Sequence, residues 1–299
     1  MMQRNLDEYI AFAEEASNST LGRVFDQTVT KYPDKEAFVF KNIRVTYQQA
    51  QDRVNKLAKG LLRLGVGKSD KVAVFMPNNL EWLYCYLAIA KIGATLVAVN
   101  TRFKSAELAH ALIRSDVSTL ILKDTFLGKI NALKMVEDMC PELFGCEPEN
   151  LNSEKLPFLK NVICLGKRRP KGVYSFDELM ASGDDSALDD QLATAMALVT
   201  PDTALLHLLT SGTTGLPKAA EGTHRGWLRT WYWTFSASPR GLGLTEKDRI
   251  LGVVPFSGGT GSGQMPTSIL VGATLVIMES FDAEEALKTI EQERITGAT

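Results

Sequence analysis

Residues 209–220 read LTSGTTGLPKAA, a run of small and hydroxyl-bearing residues that contains one lysine near its end. It follows the apolar run 204–208, which predicts a strand that feeds directly into a loop. Glycines let backbone N–H groups point at an anion, serine and threonine hydroxyls add donors, and Lys218 supplies a mobile positive charge. A helix is expected to follow and to favour negative charge at its N-terminus. The stretch therefore predicts a loop that wraps phosphate.

The spacing of this loop differs from that of a Walker A loop. In the pattern GxxxxGK[ST], the lysine follows a glycine directly and a hydroxyl residue follows the lysine. Here Leu216 and Pro217 separate Gly215 from Lys218, and Ala219 stands where the magnesium-binding hydroxyl would be. The mechanism of P-loop NTPases therefore lacks its metal ligand at this loop.

A second glycine cluster, GGTGSG at 258–263, lies between a predicted strand and a predicted helix, as a dinucleotide-binding turn does. The GxGxxG spacing is not met. Starting at Gly258 the third position is Thr260, and starting at Gly259 the sixth position is Gln264. We therefore expect no nicotinamide or flavin site here.

The overall composition excludes several classes of protein. The 299 residues are 45% hydrophobic and 23% charged, as in ordinary globular proteins, and the net charge of −2 offers no basic field for nucleic acid. The acidic N-terminal segment without a long apolar core predicts no secretory or mitochondrial leader, and no apolar run reaches the ~18 residues of a transmembrane helix. The four cysteines form no CxxC pair, so we expect no zinc site or disulfide framework and a cytoplasmic location.

Apolar strands alternate with amphipathic helices along most of the chain. Strands are predicted at 71–76, 94–99, 119–122, 161–165, 204–208, 249–254 and 273–278, and helices at 81–92, 105–114, 227–235, 263–271 and 283–294. Strands that are apolar throughout and alternate with helices indicate parallel α/β packing covered on both faces. Residues 295–299 predict the start of another strand, whose neighbours we expect to lie beyond this sequence.

The nine residues Thr210–Lys218 match TSGTTGxPK, the signature of the AMP-forming adenylating enzymes, which include acyl-CoA synthetases, luciferases and peptide-synthetase adenylation domains. The resemblance extends over nearly the whole chain. Similar segments come in the family order: FVFKNIRVTY (38–47), DKVAVFMPNNLEW (70–82), KIGATLVAVNTRFKSAEL (91–108) and GATLVIMESF (272–281). Residues 140–179, with CPEL, LPFLKNVICLG and SFDEL, are most similar to the fatty-acyl-CoA synthetase branch that handles medium-chain acids.

This resemblance implies the fold of an adenylate-forming N-terminal domain. That fold is α/β, with two stacked and mostly parallel sheets flanked by helices, here cut off before a β-barrel subdomain and a C-terminal domain. One subdomain is expected at about 70–237, and an incomplete second one at about 20–69 plus 245–299. The adenine-, ribose- and metal-binding groups and a catalytic lysine would lie beyond residue 299. We therefore expect no metal ligand within this chain, weak ATP binding and no turnover.

The resemblance also implies a reaction in two steps. A carboxylate attacks the α-phosphorus of ATP to give acyl-AMP and pyrophosphate, and the thiol of CoA then displaces AMP, with Mg²⁺ as cofactor. The loop that holds the phosphates would consist of Thr210, Ser211, Gly212, Thr213, Thr214, Gly215, Leu216, Pro217 and Lys218. Within it, Lys218 would stabilise phosphate charge.

The expected partners are a medium- to long-chain fatty acid, ATP and CoA, and a homodimer is left open. Three alternatives also remain open: an acyl-AMP ligase that delivers the adenylate to a carrier protein, an aryl-acid ligase, and a nucleotide- or acyl-binding module without catalysis.

Two residues outside the loop are candidates for substrate binding. The family commonly has an aromatic residue and a histidine after the proline of a strand such as 251–255, whereas Phe256 and Ser257 stand here and the histidine is missing. Phe256 is a candidate pocket residue, with core packing as the favoured alternative. His224 lies six residues after Lys218 and is a weak candidate, because a hydrogen bond at a helix start is favoured.

Overall fold

The computed structural model describes residues 14–15, 17–167, 170–210, 218–232 and 243–298. The elements in chain order are α1 (Leu21–Lys31), β1 (Glu36–Phe40), β2 (Ile43–Thr46), α2 (Tyr47–Arg63), β3 (Lys71–Phe75), α3 (Leu80–Lys91), β4 (Thr95–Ala98), α4 (Ser105–Arg114), β5 (Thr119–Lys123), β6 (Thr125–Phe126), β7 (Ile130–Asn131), α5 (Ala132–Met139), β8 (Asn161–Leu165), β9 (Tyr174–Ser175), α6 (Phe176–Ser182), α7 (Asp189–Ala197), β10 (Ala204–Thr210), β11 (Lys218–Thr223), α8 (His224–Tyr232), β12 (Arg249–Gly252), α9 (Gly259–Val271), β13 (Thr274–Ile277), α10 (Ala283–Gln292) and β14 (Gly297–Ala298).

The larger sheet has seven strands in the order β11-β10-β4-β3-β5-β8-β9. Its neighbours are parallel except for the β10–β11 pair, and Val72 of β3 is in register with Leu96 of β4 and Thr119 of β5. The residues of β4 are all buried, as are all but the first of β3, because helices cover both faces. The predicted parallel α/β packing is confirmed.

The smaller sheet has five strands in the order β14-β12-β13-β1-β2, parallel except for β1–β2. Its strands come from residues 36–46 and 249–298, whereas those of the larger sheet come from 71–223. The predicted last strand forms as β14 and pairs with β12 through Ile250 and Gly297. The expectation that its neighbours lie beyond this sequence was therefore wrong for one of its two edges. The subdomain boundaries stay a prediction.

Helix α3 lies in the core that both sheets share. It is apolar on all sides, and Glu81 alone among its twelve residues is not buried. Asn79 accepts a hydrogen bond from the backbone N–H of Trp82 (2.7 Å) and so caps the first turn. Gly93, with a φ of +72°, follows the helix in a conformation that favours glycine. The core cluster around α3 contains residues of both sheets and of α1, α2 and α9.

The expectation that a helix directly follows the phosphate loop was wrong. Residues Lys218–Thr223 form β11, and α8 begins only at His224. The segment KAAEGT is mostly exposed and lacks an apolar pattern, but it pairs along the edge that β10 leaves open, with His207 opposite Glu221 and Leu208 opposite Ala220. Residues 211–217 and 233–242 lie outside the described residues.

Helix α9 begins inside the second glycine cluster, at Gly259 rather than at the expected position 263. Two of its glycines lie where no side chain fits. A Cβ on Gly261 would come within 2.1 Å of the carbonyl oxygen of Pro255, and one on Gly263 within 1.8 Å of the ring of Trp231. The glycines that indicated a loop are therefore required by close packing of the first turns of the helix.

Candidate functional site

The predicted phosphate loop is bracketed by a pair of antiparallel strands. Thr210, the last residue of β10, is the Cα partner of Lys218, the first residue of β11, and Lys218 is exposed. The two ends of the motif are therefore held side by side by the ladder. Ser211, Gly212, Thr213, Thr214, Gly215, Leu216 and Pro217 lie outside the described residues, so their roles stay a prediction.

The bracketing residues lie at the carboxyl end of the larger sheet. Strand β10 is parallel to β4 and β4 to β3, so Thr210 lies at the same edge of the sheet as the turn 76–79 that follows β3. In open α/β sheets ligands bind outside the carboxyl ends of the strands. The sheet therefore presents Thr210 and Lys218 at the edge where a nucleotide is expected.

The carboxyl end of the smaller sheet meets the same edge at two points. Asn78, which follows β3, bonds to the backbone of Val254 (2.9 Å) and Phe256 (2.8 Å), which follow β12. At the second point Glu279, which follows β13, pairs with Lys123 at the end of β5 (3.4 Å). Both sheets thus direct the carboxyl ends of their strands toward one junction.

Glu279 is ionised at this junction and carries two lysine partners. Its other carboxylate oxygen lies 3.0 Å from the Nζ of Lys41, which follows β1. Burial alone would raise the pKa of Glu279, but the hydrogen bond from Lys41 and the charge of Lys123 hold it below its usual value. The three side chains therefore carry one net positive charge at neutral pH.

The N-terminus of α9 also lies beside β10. A Cβ on Gly259 would be 3.5 Å from the side chain of Leu208, two residues before Thr210. Ser262 turns its hydroxyl back to the carbonyl oxygens of Gly258 (2.8 Å) and Gly259 (3.1 Å). The partial positive charge of a helix N-terminus is thereby placed next to the strand that leads into the phosphate loop.

Phe256 is a buried residue of this junction, with 1% of its surface exposed. Its ring centroid lies 5.2 Å from that of Trp82 in α3, and its backbone N–H donates to Asn78. These contacts are those of a core residue at the edge of the sheets. Its role in lining a substrate pocket stays a prediction.

His224 is fully buried at the start of α8. Its Nδ1 accepts a hydrogen bond from the backbone N–H of Leu21 (3.0 Å), the first residue of α1. Burial lowers the pKa of His224 to about 4, so the ring is neutral at physiological pH. The structure gives His224 a contact at a helix start, and its weak candidacy for substrate binding stays a prediction.

Sequence reasoning missed Asn78. It lies in the segment PNN (77–79), directly after the predicted strand 71–76, and its partners are 176 and 178 positions away. The sequence signal that could have identified Asn78 is the pair of asparagines after Pro77, because the N-cap of the helix that follows requires only one of them. Asn79 is that N-cap, which leaves Asn78 for another purpose.

The described residues contain neither a candidate metal centre nor a membrane-spanning helix. Within the ranges that the structure describes, no three His, Cys, Asp or Glu side chains group in a way that could hold a metal ion. No helix in those ranges combines the length and the apolar character needed to cross a membrane.

Several known proteins are similar to this chain in sequence and in fold. YngI of Bacillus subtilis strain 168, whose name assigns it provisionally to the acyl-CoA synthetases, is 37% identical over 288 residues, which are 94% of this chain and 51% of YngI. ACSF2 of Bos taurus, named as a mitochondrial medium-chain acyl-CoA ligase, is 31% identical over 284 residues, which are 93% of this chain and 46% of ACSF2. The chain spans about half the length of these relatives.

A solved structure of the anthranilate CoA ligase AuaEII in complex with anthranoyl-AMP has a TM-score of 0.76 at 21% identity, covering 94% of this chain and 49% of that protein. This likeness shows that the fold is that of the N-terminal part of adenylate-forming enzymes. A family model described as AMP-binding enzyme matches residues 25–299. With nearly the whole sequence matched and the signature residues Thr210 and Lys218 side by side at the sheet edge, the chain belongs to the AMP-binding enzyme family.

Proposed function

We propose that this chain supplies the phosphate-binding and acyl-binding side of an AMP-forming fatty acid–CoA ligase. The observation that carries the proposal is the pairing of Thr210 with Lys218 at the carboxyl end of the larger sheet, which brings the two ends of the nine-residue signature side by side. The substrates would be ATP, CoA and a medium- to long-chain fatty acid, in keeping with the printed names of the relatives.

In the first step a carboxylate oxygen attacks the α-phosphorus of ATP. The new O–P bond forms as the bond to the bridging oxygen of pyrophosphate breaks, so negative charge builds up on the leaving group. Lys218, together with the backbone N–H groups and hydroxyls of the loop, would neutralise this charge, and a preorganised group of this kind stabilises the transition state more than the ground state. No nucleophile on the protein is required. In the second step the sulfur of CoA forms a thioester and AMP leaves.

Mg²⁺ accompanies ATP in enzymes of this kind. The described residues do not fit a metal site, because they bring no three acidic, histidine or cysteine side chains together. At the junction, Lys41 and Lys123 pair with Glu279, and Lys218 is the lysine of the signature itself.

The acyl group would lie on the Phe256 side of the junction. Trp82 and Phe256, whose rings are in contact, would form an apolar wall there, and Ser257 follows Phe256 where the family commonly has a histidine. An aryl-acid ligase and an acyl-AMP ligase with a carrier-protein acceptor are the alternatives within the family. A cytoplasmic location and a homodimer belong to the same proposal.

The proposal is tested by calorimetric titration of the 299-residue chain with AMP, ATP and two stable adenylate analogues, dodecanoyl and benzoyl sulfamoyl adenosine. We expect binding of ATP and tighter binding of the dodecanoyl analogue. Tighter binding of the benzoyl analogue would favour the aryl-acid ligase, and absence of binding of all four compounds would overturn the proposal.

Turnover is measured alongside by trapping acyl-AMP with hydroxylamine. We expect none from these residues alone, because the family resemblance places the adenine-, ribose- and metal-binding groups in later motifs. Acyl hydroxamate in amounts above a no-enzyme control would show that this expectation is wrong while supporting the ligase assignment.

A further inference from the structure

We propose that Asn78 is a positioning residue that fixes the acyl-binding wall of the site relative to the phosphate loop. This inference rests on the proposed function. It is carried by one observation: a single buried carboxamide that follows a strand of one sheet bonds to the backbone of two residues that follow a strand of the other.

The geometry of Asn78 is that of a two-sided clamp. The side chain is 3% exposed, its Nδ2 donates to the carbonyl oxygen of Val254 (2.9 Å), and its Oδ1 accepts from the backbone N–H of Phe256 (2.8 Å). Both distances are those of well-formed hydrogen bonds. An amide nitrogen can only donate and an amide oxygen can only accept, so the two partners fix the orientation of the carboxamide.

The clamped segment is also in close contact with α9. Pro255 lies between the two bonded residues, and its carbonyl oxygen is packed so closely against Gly261 of α9 that no Cβ would fit. The backbone of Pro255 and Phe256 is therefore held both by the Asn78 carboxamide and by close contact with the first turns of α9. Its position depends on where Asn78 stands.

Asn78 in turn is tied to the phosphate loop through the larger sheet. It follows β3, which pairs with β4, and β4 pairs with β10, the strand that ends at Thr210. The path from the clamp to the loop therefore runs across two strand pairings, without a long flexible connection. We infer that Asn78 sets the distance between the acyl part and the phosphate part of the bound adenylate.

Two other roles for Asn78, a helix cap and ordinary core packing, explain its contacts less well. As a helix cap it would be redundant, because Asn79 already accepts from the N–H of Trp82. As ordinary core packing it would be replaced well by leucine, whose side chain has the same number and branching of heavy atoms. A buried backbone N–H and a buried carbonyl oxygen would then lose their partners, and leaving such groups unpaired is costly.

The test compares dodecanoyl and acetyl sulfamoyl adenosine, which share one head group and differ in the acyl chain. In Asn78→Ala and Asn78→Leu we expect the affinity for the dodecanoyl analogue to fall about tenfold, and that for the acetyl analogue to change less than about twofold. Equal loss for both analogues, or no loss for either, would overturn the inference. Circular dichroism confirms that each variant is folded at the temperature of the titration.

Asn78→Asp adds a readout that a packing role would not produce. An ionised aspartate can accept from Phe256 but cannot donate to Val254, whereas a neutral carboxylic acid can do both. Burial raises the pKa of such a carboxyl group. We expect the ratio of the dodecanoyl to the acetyl affinity to recover toward the wild-type value as pH falls. A ratio that stays depressed while the variant remains folded would contradict the clamp.

Asn161→Ala is the matched control. Asn161 is a buried asparagine of the same sheet whose Nδ2 donates to the hydroxyl of Thr119 (3.1 Å), but it lies at the amino end of β8, away from the junction. We expect it to leave the ratio of the two affinities unchanged. A change as large as that in Asn78→Ala would assign the effect to general loss of stability.

A second arm needs no ligand. Amide hydrogen exchange at Phe256 should be slow in the wild-type chain and in Asn161→Ala, and faster by about tenfold or more in Asn78→Ala. If the wild-type chain bound none of the compounds, the proposed function would fail, and this arm would still show whether Asn78 holds the segment. Unchanged exchange at Phe256 in Asn78→Ala would overturn the clamp itself.

Discussion

The Nδ1 of His224 accepts a hydrogen bond from the backbone N–H of Leu21, 203 positions earlier in the chain, at 3.0 Å. The bond joins the first residue of α8 to the first residue of α1, and both are fully buried. The first N–H groups of a helix have no partner within the helix, so the imidazole satisfies one of them. It thereby fixes α1 against α8, the helix that follows β11.

This contact predicts a loss of stability in acid. Burial lowers the pKa of His224 from 6.5 to about 4, so the unfolded chain binds a proton at higher pH than the folded chain. The contribution of the neutral ring is complete above about pH 6.5 and is lost as pH falls toward 4. The change amounts to roughly 3 kcal/mol, and it is measured as the free energy of unfolding in urea at a series of pH values.

His224→Asn is the informative variant for that measurement. The Oδ1 of asparagine can accept from Leu21 in place of Nδ1, but it does not titrate. We expect a constant offset from the smaller side chain and a shallower dependence on pH between about 4 and 6.5 than in the wild type. An unchanged slope would show that other groups cause the acid sensitivity.

We expect replacement of glycine by alanine to have opposite effects on stability at two positions in the helices. Gly263→Ala would place a methyl group 1.8 Å from the ring of Trp231, so one of the two packed helices must move. We expect a loss of several kcal/mol in the free energy of unfolding, about 3 or more. Thermal and urea unfolding of the variant measure the loss.

Gly226→Ala is the matched control in α8. The nearest atom to its Cβ would be the hydroxyl oxygen of Thr223 at 3.4 Å, an ordinary contact distance. Alanine favours the helix over glycine by about 0.5–1 kcal/mol, so this variant should be equal to the wild type or slightly more stable. Similar losses in both variants would contradict the packing argument.

Arg249 and Arg44 pair with the same two carboxylates at the smaller sheet, but we expect their replacement to affect stability unequally. Arg249 pairs with Glu36 (2.9 Å) and with Glu293, and its Nε also donates to the carbonyl oxygen of Glu293 (2.7 Å). Arg44 pairs with the same two carboxylates (3.0 and 2.6 Å) but is half exposed. We expect Arg249→Ala to cost about 2 kcal/mol and Arg44→Ala less than about 1 kcal/mol.

A double-mutant cycle on these residues measures how much of the effect belongs to the network. The free energies of unfolding of Arg249→Ala, Glu293→Gln and the double variant should show a coupling of about 1 kcal/mol that weakens as salt is added. Additive effects at low salt would show that the charges act independently.

The sequence was sufficient for the parallel strands because they are buried on both faces and therefore apolar without interruption. Strands β3, β5 and β8 lie within one residue of their expected bounds. Strand β11 was missed because KAAEGT carries no apolar pattern, and its pairing depends on the open edge of β10. The start of α9 was missed because the closeness of Pro255 and Trp231, which requires the glycines, is not visible in the local sequence.

The residues of the candidate site also differ in whether the sequence alone could identify them. Its nine-residue signature could be recognised from consecutive residues alone, and its phosphate-binding role stays a prediction, because residues 211–217 lie outside the described residues. Asn78 could not be identified, because its role depends on Val254 and Phe256, which approach it only when the two sheets meet. Residues whose chemistry lies in one segment are therefore predictable from the sequence, whereas those that join two sheets are not.

We expect replacement of Lys218 to affect the binding of ATP and the binding of AMP differently. It is the first residue of β11, held opposite Thr210, and its proposed partners are the outer phosphates. Because AMP lacks these phosphates, Lys218→Ala should lower the affinity for ATP about tenfold and that for AMP less than about twofold. Lys247→Ala is the matched control, since Lys247 is exposed near the amino end of β12, away from the junction of the sheets. Equal losses for ATP and AMP, or an effect of Lys247→Ala as large as that of Lys218→Ala, would contradict a phosphate-binding role for Lys218.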